Sequence, residues 1–500
     1  MDGEGHRLAL GQVLAGVRLK SEISDALLHA AVAGLDYDSR RVGTGHLFFA
    51  FAGARADGRA FAQAALERGA IAVVSELPAP EGFARPWIVV EHGRQALAQA
   101  ARNFYGKPDE RLGITGITGT NGKTTTCFLL DAILRASGKT TALIGTVEYR
   151  LAGDLLPAVN TTPESLDLYK IFDQLLQLGG THVTMEVSSH ALALGRVHGV
   201  WFHTAIFTNL TRDHLDFHGS MEDYFAAKQL LFVPEGAPAP PCAAINHDDP
   251  WGAKIDASRS GVLRYGFDAG ASVRGSGLEM NFEGLRFTVE HEGRSVRLRS
   301  PLVGKINAYN ILAAACGALS YGLDWDAIAD AVAHAERVPG RFESVDAGQP
   351  FMVVVDYAHT DDALRNVIAV ARELKPKRVL TLFGCGGDRD RAKRPLMGVA
   401  AAEGSDFVAL TSDNPRSEDP LDIINDAQVG LGRLDTPYIT EPDREKAIRA
   451  ILLAARPGDI VIIAGKGHET YQVLKDRTIH FDDRETAGAI LQSMGYGKTA

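Results

Sequence analysis

The stretch Gly119-Thr120-Asn121-Gly122-Lys123-Thr124-Thr125 restricts the possible folds of this chain more than any other segment. It follows the strand-like run Leu112–Ile117 and precedes the apolar helical run Thr124–Ser137. Glycines let the backbone approach an anion closely, and the N–H groups of the loop and of the helix start then point at it. Lys123 is placed to neutralise the β- and γ-phosphates of ATP, and Thr124 to ligate Mg²⁺. Gly119, Thr120, Asn121, Gly122 and Thr125 complete the expected ATP loop. The strict G-x-x-x-x-G-K-[ST] pattern is not met, because Ile117 occupies the first glycine position. The bland alternative is a Gly/Thr turn that only caps a helix, and the strand–loop–helix context argues against it.

Apolar runs and helical stretches alternate on both sides of this loop, which predicts an α/β protein with mainly parallel sheets. At roughly 100–200 residues per domain, 500 residues predict about three domains. The expected blocks are 1–110, a small N-terminal α/β domain; 111–338, a central P-loop ATPase-like parallel-sheet domain; and 339–500, a C-terminal Rossmann-like domain. In the first, Leu47–Ala52, Ile71–Val74 and Trp87–Val90 read as strands, with helices over Gly58–Arg68 and Arg94–Tyr105. In the second, strands are expected at His182–Glu186, Thr204–Thr208 and Ala243–Asn246, a β-hairpin insert at Ser272–Arg299 and a helix at Ala308–Tyr321. The breaker pair Pro339-Gly340 opens the third, with strands at Met352–Val355, Arg378–Leu382, Phe407–Leu410 and Asp459–Ile463.

Composition excludes several classes. The net charge is −10 and the cations are scattered, so no nucleic-acid partner is expected. No run approaches the ~18 apolar residues of a membrane span, and the N-terminus lacks the apolar core of a secretory signal. Cys127, Cys242, Cys316 and Cys385 form no C-x-x-C pair, so neither a zinc site nor a disulfide framework is expected and a reducing, cytoplasmic location fits.

Further blocks stand in order along almost the whole chain. They are Asn160-Thr161-Thr162-Pro163, Met185-Glu186-Val187-Ser188-Ser189-His190, Thr208 through Gly219 with Lys228 beyond, Asn307 and Asn310, and Pro339-Gly340-Arg341. After these come Asp356-Tyr357-Ala358-His359, Gly384 through Asp390, Asp413-Asn414-Pro415-Arg416 and Gly465-Lys466-Gly467-His468-Glu469. With the GTNGKTT loop, these blocks resemble the Mur ligase family, and the later ones its third-residue ligases. The resemblance implies three-domain architecture and an ATP-dependent amide synthase of peptidoglycan precursor synthesis. By that resemblance, phosphoryl transfer to the D-Glu carboxylate of UDP-N-acetylmuramoyl-L-alanyl-D-glutamate gives an acyl phosphate, which the amine of meso-2,6-diaminopimelate attacks.

The resemblance also assigns roles residue by residue. Lys123, Glu186, His214, Lys228 and Asp356 are the expected catalytic set. Thr124, Glu186, His214 and Lys228, the last as a CO₂-derived carbamate, are the expected Mg²⁺ ligands. Asn307, Asn310, Arg341 and His359 join the P-loop in holding ATP. Ser39, Ala54, Arg55, Ala56, Asn160, Thr161, Thr162, Ser188 and Arg196 match positions that contact the nucleotide-sugar dipeptide. Arg389, Asp413, Asn414, Pro415, Arg416, Gly465 and Glu469 match the diaminopimelate site, where a forked Arg416 suits the additional carboxylate. Two positions depart from the family: Leu194 stands where Gln is common, and Asp361 where Pro is usual. A monomer is expected.

Without the resemblance several of these residues have blander readings. Lys228 looks like a surface lysine on a helix, Glu186 like a solvated strand end, Asp413–Arg416 like an ordinary turn, and His214 like a packed histidine. Two rival functions stay open on sequence alone: a relative adding L-lysine or extending folylpolyglutamate, and a non-catalytic P-loop switch.

Overall fold

The computed structural model describes residues 7–51, 57–158 and 160–497. The chain forms two compact units, one of Met1–Leu210, His214–Val273 and Ala313–Ile328, the other of Thr211–Asp213, Arg274–Leu312 and Ala329–Ala500. The expected block 1–110 and most of 111–338 thus share the first unit.

Two mainly parallel sheets build most of the first unit. The smaller joins Gly34–Asp36, His46–Phe49, Ala72–Ser75 and Trp87–Val89 in sequential order. Helix Gly93–Phe104 buries Ala96, Leu97, Ala100, Ala101 and Phe104. In the larger sheet the P-loop strand Gly113–Thr118 lies between His182–Glu186 and Thr204–Phe207, both parallel to it. Thr141–Ile144 continues the sheet on the first side, and Cys242–Asn246 and Gly261–Gly266 on the second. The chain leaves the P-loop strand toward one side and later returns to the other. Such a reversal opens a crevice at the strands' carboxyl ends, the place where open α/β sheets bind ligands. The register sets Glu186 opposite Ile117, and Phe207 opposite Thr118, so both neighbouring strands end level with the P-loop.

In the second unit the expected hairpin insert is a three-stranded antiparallel meander of Val273–Asn281, Gly284–His291 and Arg294–Ser300. The same unit carries a six-stranded sheet in the order Glu343–Ser344, Met352–Asp356, Ile460–Ala464, Val379–Cys385, Phe407–Ser412, Tyr438–Thr440. All pairs but the first are parallel. Its strands carry continuous apolar runs because both faces are covered. Val354, Ile460 and Ile462 pack in one core, and Val353, Val355, Val461 and Ile463 in the other.

One ion pair is sealed inside this unit. Arg444 Nε and Nη2 donate to the two oxygens of Asp483 at 2.7 Å each, with both side chains 0% exposed. The same guanidinium donates to the carbonyls of Ser412 (3.3 Å) and Ala464 (3.0 Å), the last residues of two strands. Because each of the three guanidinium nitrogens donates, the pair offsets its desolvation; removing one partner of such a pair costs about 3–5 kcal/mol.

The departure at Asp361 is locally favourable. Thr360 caps the helix Asp361–Glu373 through Ala363 N, and an acid in the first turn suits the helix dipole. All four cysteines are free, three of them buried. Burial pushes the Cys242 thiol up to about 11 and the Cys385 thiol up to about 12. Among the described residues, no helix is long and apolar enough to cross a membrane.

Candidate active site

Two clusters of polar side chains stand at the carboxyl ends of these sheets, one in each unit. In the first, the P-loop takes positive φ at Gly119 (148°) and Gly122 (86°), where a side chain would be strained. Segment Thr208–Asn209, at the end of the neighbouring strand, pins the loop. Asn209 Oδ1 accepts from Asn121 N (2.9 Å), Asn209 Nδ2 donates to Asn121 O (3.0 Å), and Thr208 Oγ1 donates to the same carbonyl (2.7 Å). Lys123 Nζ curls over the loop and donates to the carbonyls of Gly119 and Thr120, at 2.9 Å each. Thr124 and Thr125 are buried at the helix start.

Lys228 is not a surface lysine. It is 1% exposed, and its Nζ donates to Gly119 O at 2.8 Å and lies 4.3 Å from the centre of the Tyr224 ring. Tyr224, which the sequence reading missed, joins the loop to a histidine cluster. Its hydroxyl is 3.2 Å from Thr120 Oγ1, and its ring stands 5.0 Å from His218 and 6.0 Å from His214. His190 packs edge-on against His214 at 4.8 Å. His214 takes a left-handed φ of 52° just before the short helix Leu215–His218 and is exposed.

Glu186 is likewise not a solvated strand end but 1% exposed. Its carboxylate accepts from Thr146 N (2.7 Å) and Thr146 Oγ1 (3.2 Å). The next links in the chain are the expected substrate residues. Thr161 Oγ1 meets Thr146 Oγ1 at 3.0 Å, Thr162 Oγ1 donates to Glu186 O (2.9 Å), and Ser188 N donates to Thr162 Oγ1 (3.1 Å). Asn160 is exposed, and its backbone carbonyl accepts from Tyr149 OH. Arg196 Nη1 donates to Thr162 O (3.0 Å), while Arg196 Nε lies 3.0 Å from Glu164 Oε1. Arg94, absent from the expected set, approaches the same oxygen at 3.5 Å. Ser39 is half-buried in a turn whose Asp38 carboxyl is held down to about 2 by the Arg40 guanidinium. Ala54, Arg55 and Ala56 lie outside the described residues.

The second cluster lies wholly in the second unit, where adjacent strands end in Asp356, Ala464, Cys385 and Ser412. Gly387 N donates to Asn414 O (2.9 Å), and Ser417 Oγ to Asp388 (2.6 Å), so the two loops after neighbouring strands are tied together. Buried Arg394 reinforces the tie through Glu418 (2.7 Å) and Asp426 (2.9 Å). A Cβ on Gly387 would lie 1.9 Å from Pro415 O. Arg416 adopts a left-handed φ of 53°, and its Nη1 donates to Gly387 O (2.7 Å). Asn414 Nδ2 donates to Glu469 Oε2 (2.9 Å), and a Cβ added at Gly465 would lie 3.5 Å from Asp413 Oδ2. Arg389 stands at the rim, exposed.

Beside this cluster, Phe342 N and Ala358 N donate to the Asp356 carboxylate at 2.7 and 2.9 Å. Burial raises the Asp356 carboxyl above the usual range, and the Arg341 charge opposes that rise. Arg341 lies over the Tyr357 ring at 5.0 Å, and Tyr357 contacts His359 and His468. Burial brings His468 down to about 4. Asn310 Nδ2 donates to Asn307 Oδ1 (2.9 Å), and both residues are buried.

Among the described residues, no three His, Cys, Asp or Glu side chains converge on a metal-sized space. The Thr124 hydroxyl and the Glu186 carboxylate are oxygen donors of the kind that a hard cation such as Mg²⁺ prefers.

The chain belongs to the Mur ligase family. Family models for the Mur ligase catalytic domain, middle domain and glutamate ligase domain match residues 31–105, 117–318 and 340–467. It is 63% identical to a UDP-N-acetylmuramoyl-L-alanyl-D-glutamate–2,6-diaminopimelate ligase of Solibacter usitatus, over 98% of this chain and 99% of that one. A ligase of the same name from Geobacillus thermodenitrificans is 46% identical, over 92% and 95%. A solved structure of a ligase of that name superposes with a TM-score of 0.71 at 33% identity, covering 98% of this chain and 99% of that one. The fold is shared more widely, with a Mycobacterium tuberculosis folylpolyglutamate synthase at 18% identity and a TM-score of 0.60, over 80% of this chain and 95% of that one.

A Cβ added at Gly119 would lie 1.8 Å from Thr208 Oγ1 and 3.1 Å from the Asn209 backbone. Gly119→Ala is therefore expected to weaken ATP binding by tenfold or more, on the order of one lost charged hydrogen bond. Titration calorimetry with a non-hydrolysable ATP analogue checks this, and unchanged affinity would contradict the loop's role.

Proposed function

We propose that this chain is the ATP-dependent ligase that adds meso-2,6-diaminopimelate to UDP-N-acetylmuramoyl-L-alanyl-D-glutamate in peptidoglycan precursor synthesis. One observation carries the reading. Arg416, Asn414, Asp413 and Glu469 are gathered past the carboxyl ends of the two strands that flank Val379–Cys385, with a guanidinium braced on Gly387 O. That set pairs a fork for a carboxylate with acceptors for an ammonium group. The relatives' names point to the same substrate.

A carboxylate is a poor acceptor for an amine until its oxygen becomes a leaving group. Phosphoryl transfer from ATP to the D-Glu carboxylate supplies one and brings two anions together, so positive charge must accompany it. In this reading the loop N–H groups of Gly119–Thr125 and Lys123 hold the triphosphate, with Asn307, Asn310, Arg341, Asp356 and His359 contributing to the nucleotide site. Thr124, Glu186, His214 and carbamylated Lys228 hold Mg²⁺, which when bound neutralises charge on the transferred group. Carbamylation turns the Lys228 cation into an anion with two oxygens and so changes it from a hydrogen-bond donor into a metal ligand. Ser39, Ala54, Arg55, Ala56, Asn160, Thr161, Thr162, Ser188 and Arg196 hold the nucleotide-sugar dipeptide. Arg389, Asp413, Asn414, Pro415, Arg416, Gly465 and Glu469 receive the amino acid. The functional division runs 1–110, 111–338 and 339–500, and the enzyme acts as a cytoplasmic monomer.

Phosphate release, measured with a panel of amino acids, tests the reading. Release is expected only when the nucleotide dipeptide and meso-diaminopimelate are both present. Release with L-lysine instead would mark a lysine-adding ligase, and release with ATP alone a nucleotide switch. Arg416→Lys should raise KM for diaminopimelate by tenfold or more while leaving KM for ATP within about twofold, since a point charge cannot replace the fork. An unchanged KM for the amino acid would remove Arg416 from that role. Lys228→Ala should abolish most turnover, with part restored by added short-chain carboxylates. Near-normal activity, or no restoration, would dismiss the carbamate.

A further inference from the structure

We propose that Lys466 is a positioning residue for the amino-acid subsite, fixing by its buried ammonium the arrangement of Asn414, Glu469 and Asp413 without itself meeting the substrate. This rests on the ligase reading above. The residue is 0% exposed. Its Nζ lies 3.2 Å from Asn414 Oδ1, 3.4 Å from Glu469 Oε2 and 3.5 Å from Asp413 Oδ1. Three expected amino-acid contacts thus surround one cation.

The geometry dictates which way each group faces. Asn414 Oδ1 accepts from Lys466 Nζ and from Val473 N (2.9 Å), so its Nδ2 turns toward Glu469 Oε2 at 2.9 Å. A flipped amide would set Nδ2 against the lysine and lose all three bonds. Glu469 is fixed in turn, between the amide and the ammonium. Asp413 is 7% exposed, and its Oδ1 has the lysine charge nearby but no hydrogen-bond donor. A buried acceptor without a donor is costly, and an arriving ammonium group relieves it.

Lys466 also explains a constraint on the loop. It sits between Gly465 (φ 119°) and Gly467 (φ 54°), whose backbones turn the intervening side chain inward. Gly467 packs on Tyr357, where an added Cβ would lie 2.6 Å from the tyrosine's own β-carbon. The alternative is that Lys466 is simply part of the core. A core role would lower stability and disturb all substrates alike, whereas a positioning role acts on one.

The test uses the full chain with Lys466→Gln and Lys466→Met, each first checked by thermal melting. KM is then measured separately for the amino acid, ATP and the nucleotide dipeptide. The expected result is a KM for the amino acid raised roughly tenfold or more, the scale of a hydrogen bond to a charged group. The other two KM values should stay within about twofold. An equal rise in all three, a fall in kcat alone, or an unchanged amino-acid KM overturns the proposal. So does failure of both variants to fold, which would assign the lysine to the core. The wild-type panel is run alongside. If the wild type uses another amino acid, the diaminopimelate reading fails on its own, and the comparison is made with the amino acid it does use.

Discussion

Parallel strands must be covered on both faces, and that requirement decides where this protein can place charge. Val353 to Val355 and Ile460 to Ile463 are buried from both sides, and no charged side chain stands along them. Polar chemistry is left to the carboxyl ends, where the chain leaves the sheet and loop backbone can turn toward a ligand. Both clusters obey this. Glu186 and the P-loop end neighbouring strands in one unit, and Asp356, Asp413 and Gly465 end or follow strands in the other. Register converts a distance in sequence into adjacency. Glu186 stands opposite Ile117, although dozens of residues separate them.

At those ends the protein depends on buried cations used as struts. Arg394, Arg444 and Lys466 are each nearly or fully buried, and each holds backbone or side-chain oxygens from loops that follow different strands. A buried guanidinium held by several hydrogen bonds is rigid, and it positions the groups around it better than apolar packing can, because its bonds are directional. The P-loop uses neutral struts for the same purpose: Thr208 and Asn209 hold Asn121 from the next strand.

Much of this was legible in the sequence. Apolar runs located many of the strands to within three residues, and the glycine loop marked the position of the central motif, but the buried strand Thr141–Ile144 and the strands Gly261–Gly266 and Tyr438–Thr440 were not expected. The short strand Gly34–Asp36 carries too few residues for a period to show, and the insert's third strand reads as another alternating run. Burial of Lys228 was not legible in its own helix, since Tyr-Phe-Ala-Ala-Lys-Gln offers no clear apolar stripe to say which face turns inward. Tyr224 carried no signal of its own. Lys466 was read only as a letter in a motif, and Arg444 passed unnoticed, because Asp483 lies far along the chain and only folding brings the two together.

The free cysteines have a practical corollary. Only a thiolate reacts readily with an alkylating reagent, and burial keeps the thiols of Cys127 and Cys385 protonated near neutral pH. One lies in each compact unit. Modification at either position therefore has to wait for its own surroundings to open, so the two labelling rates act as separate clocks for local unfolding of the halves of the molecule.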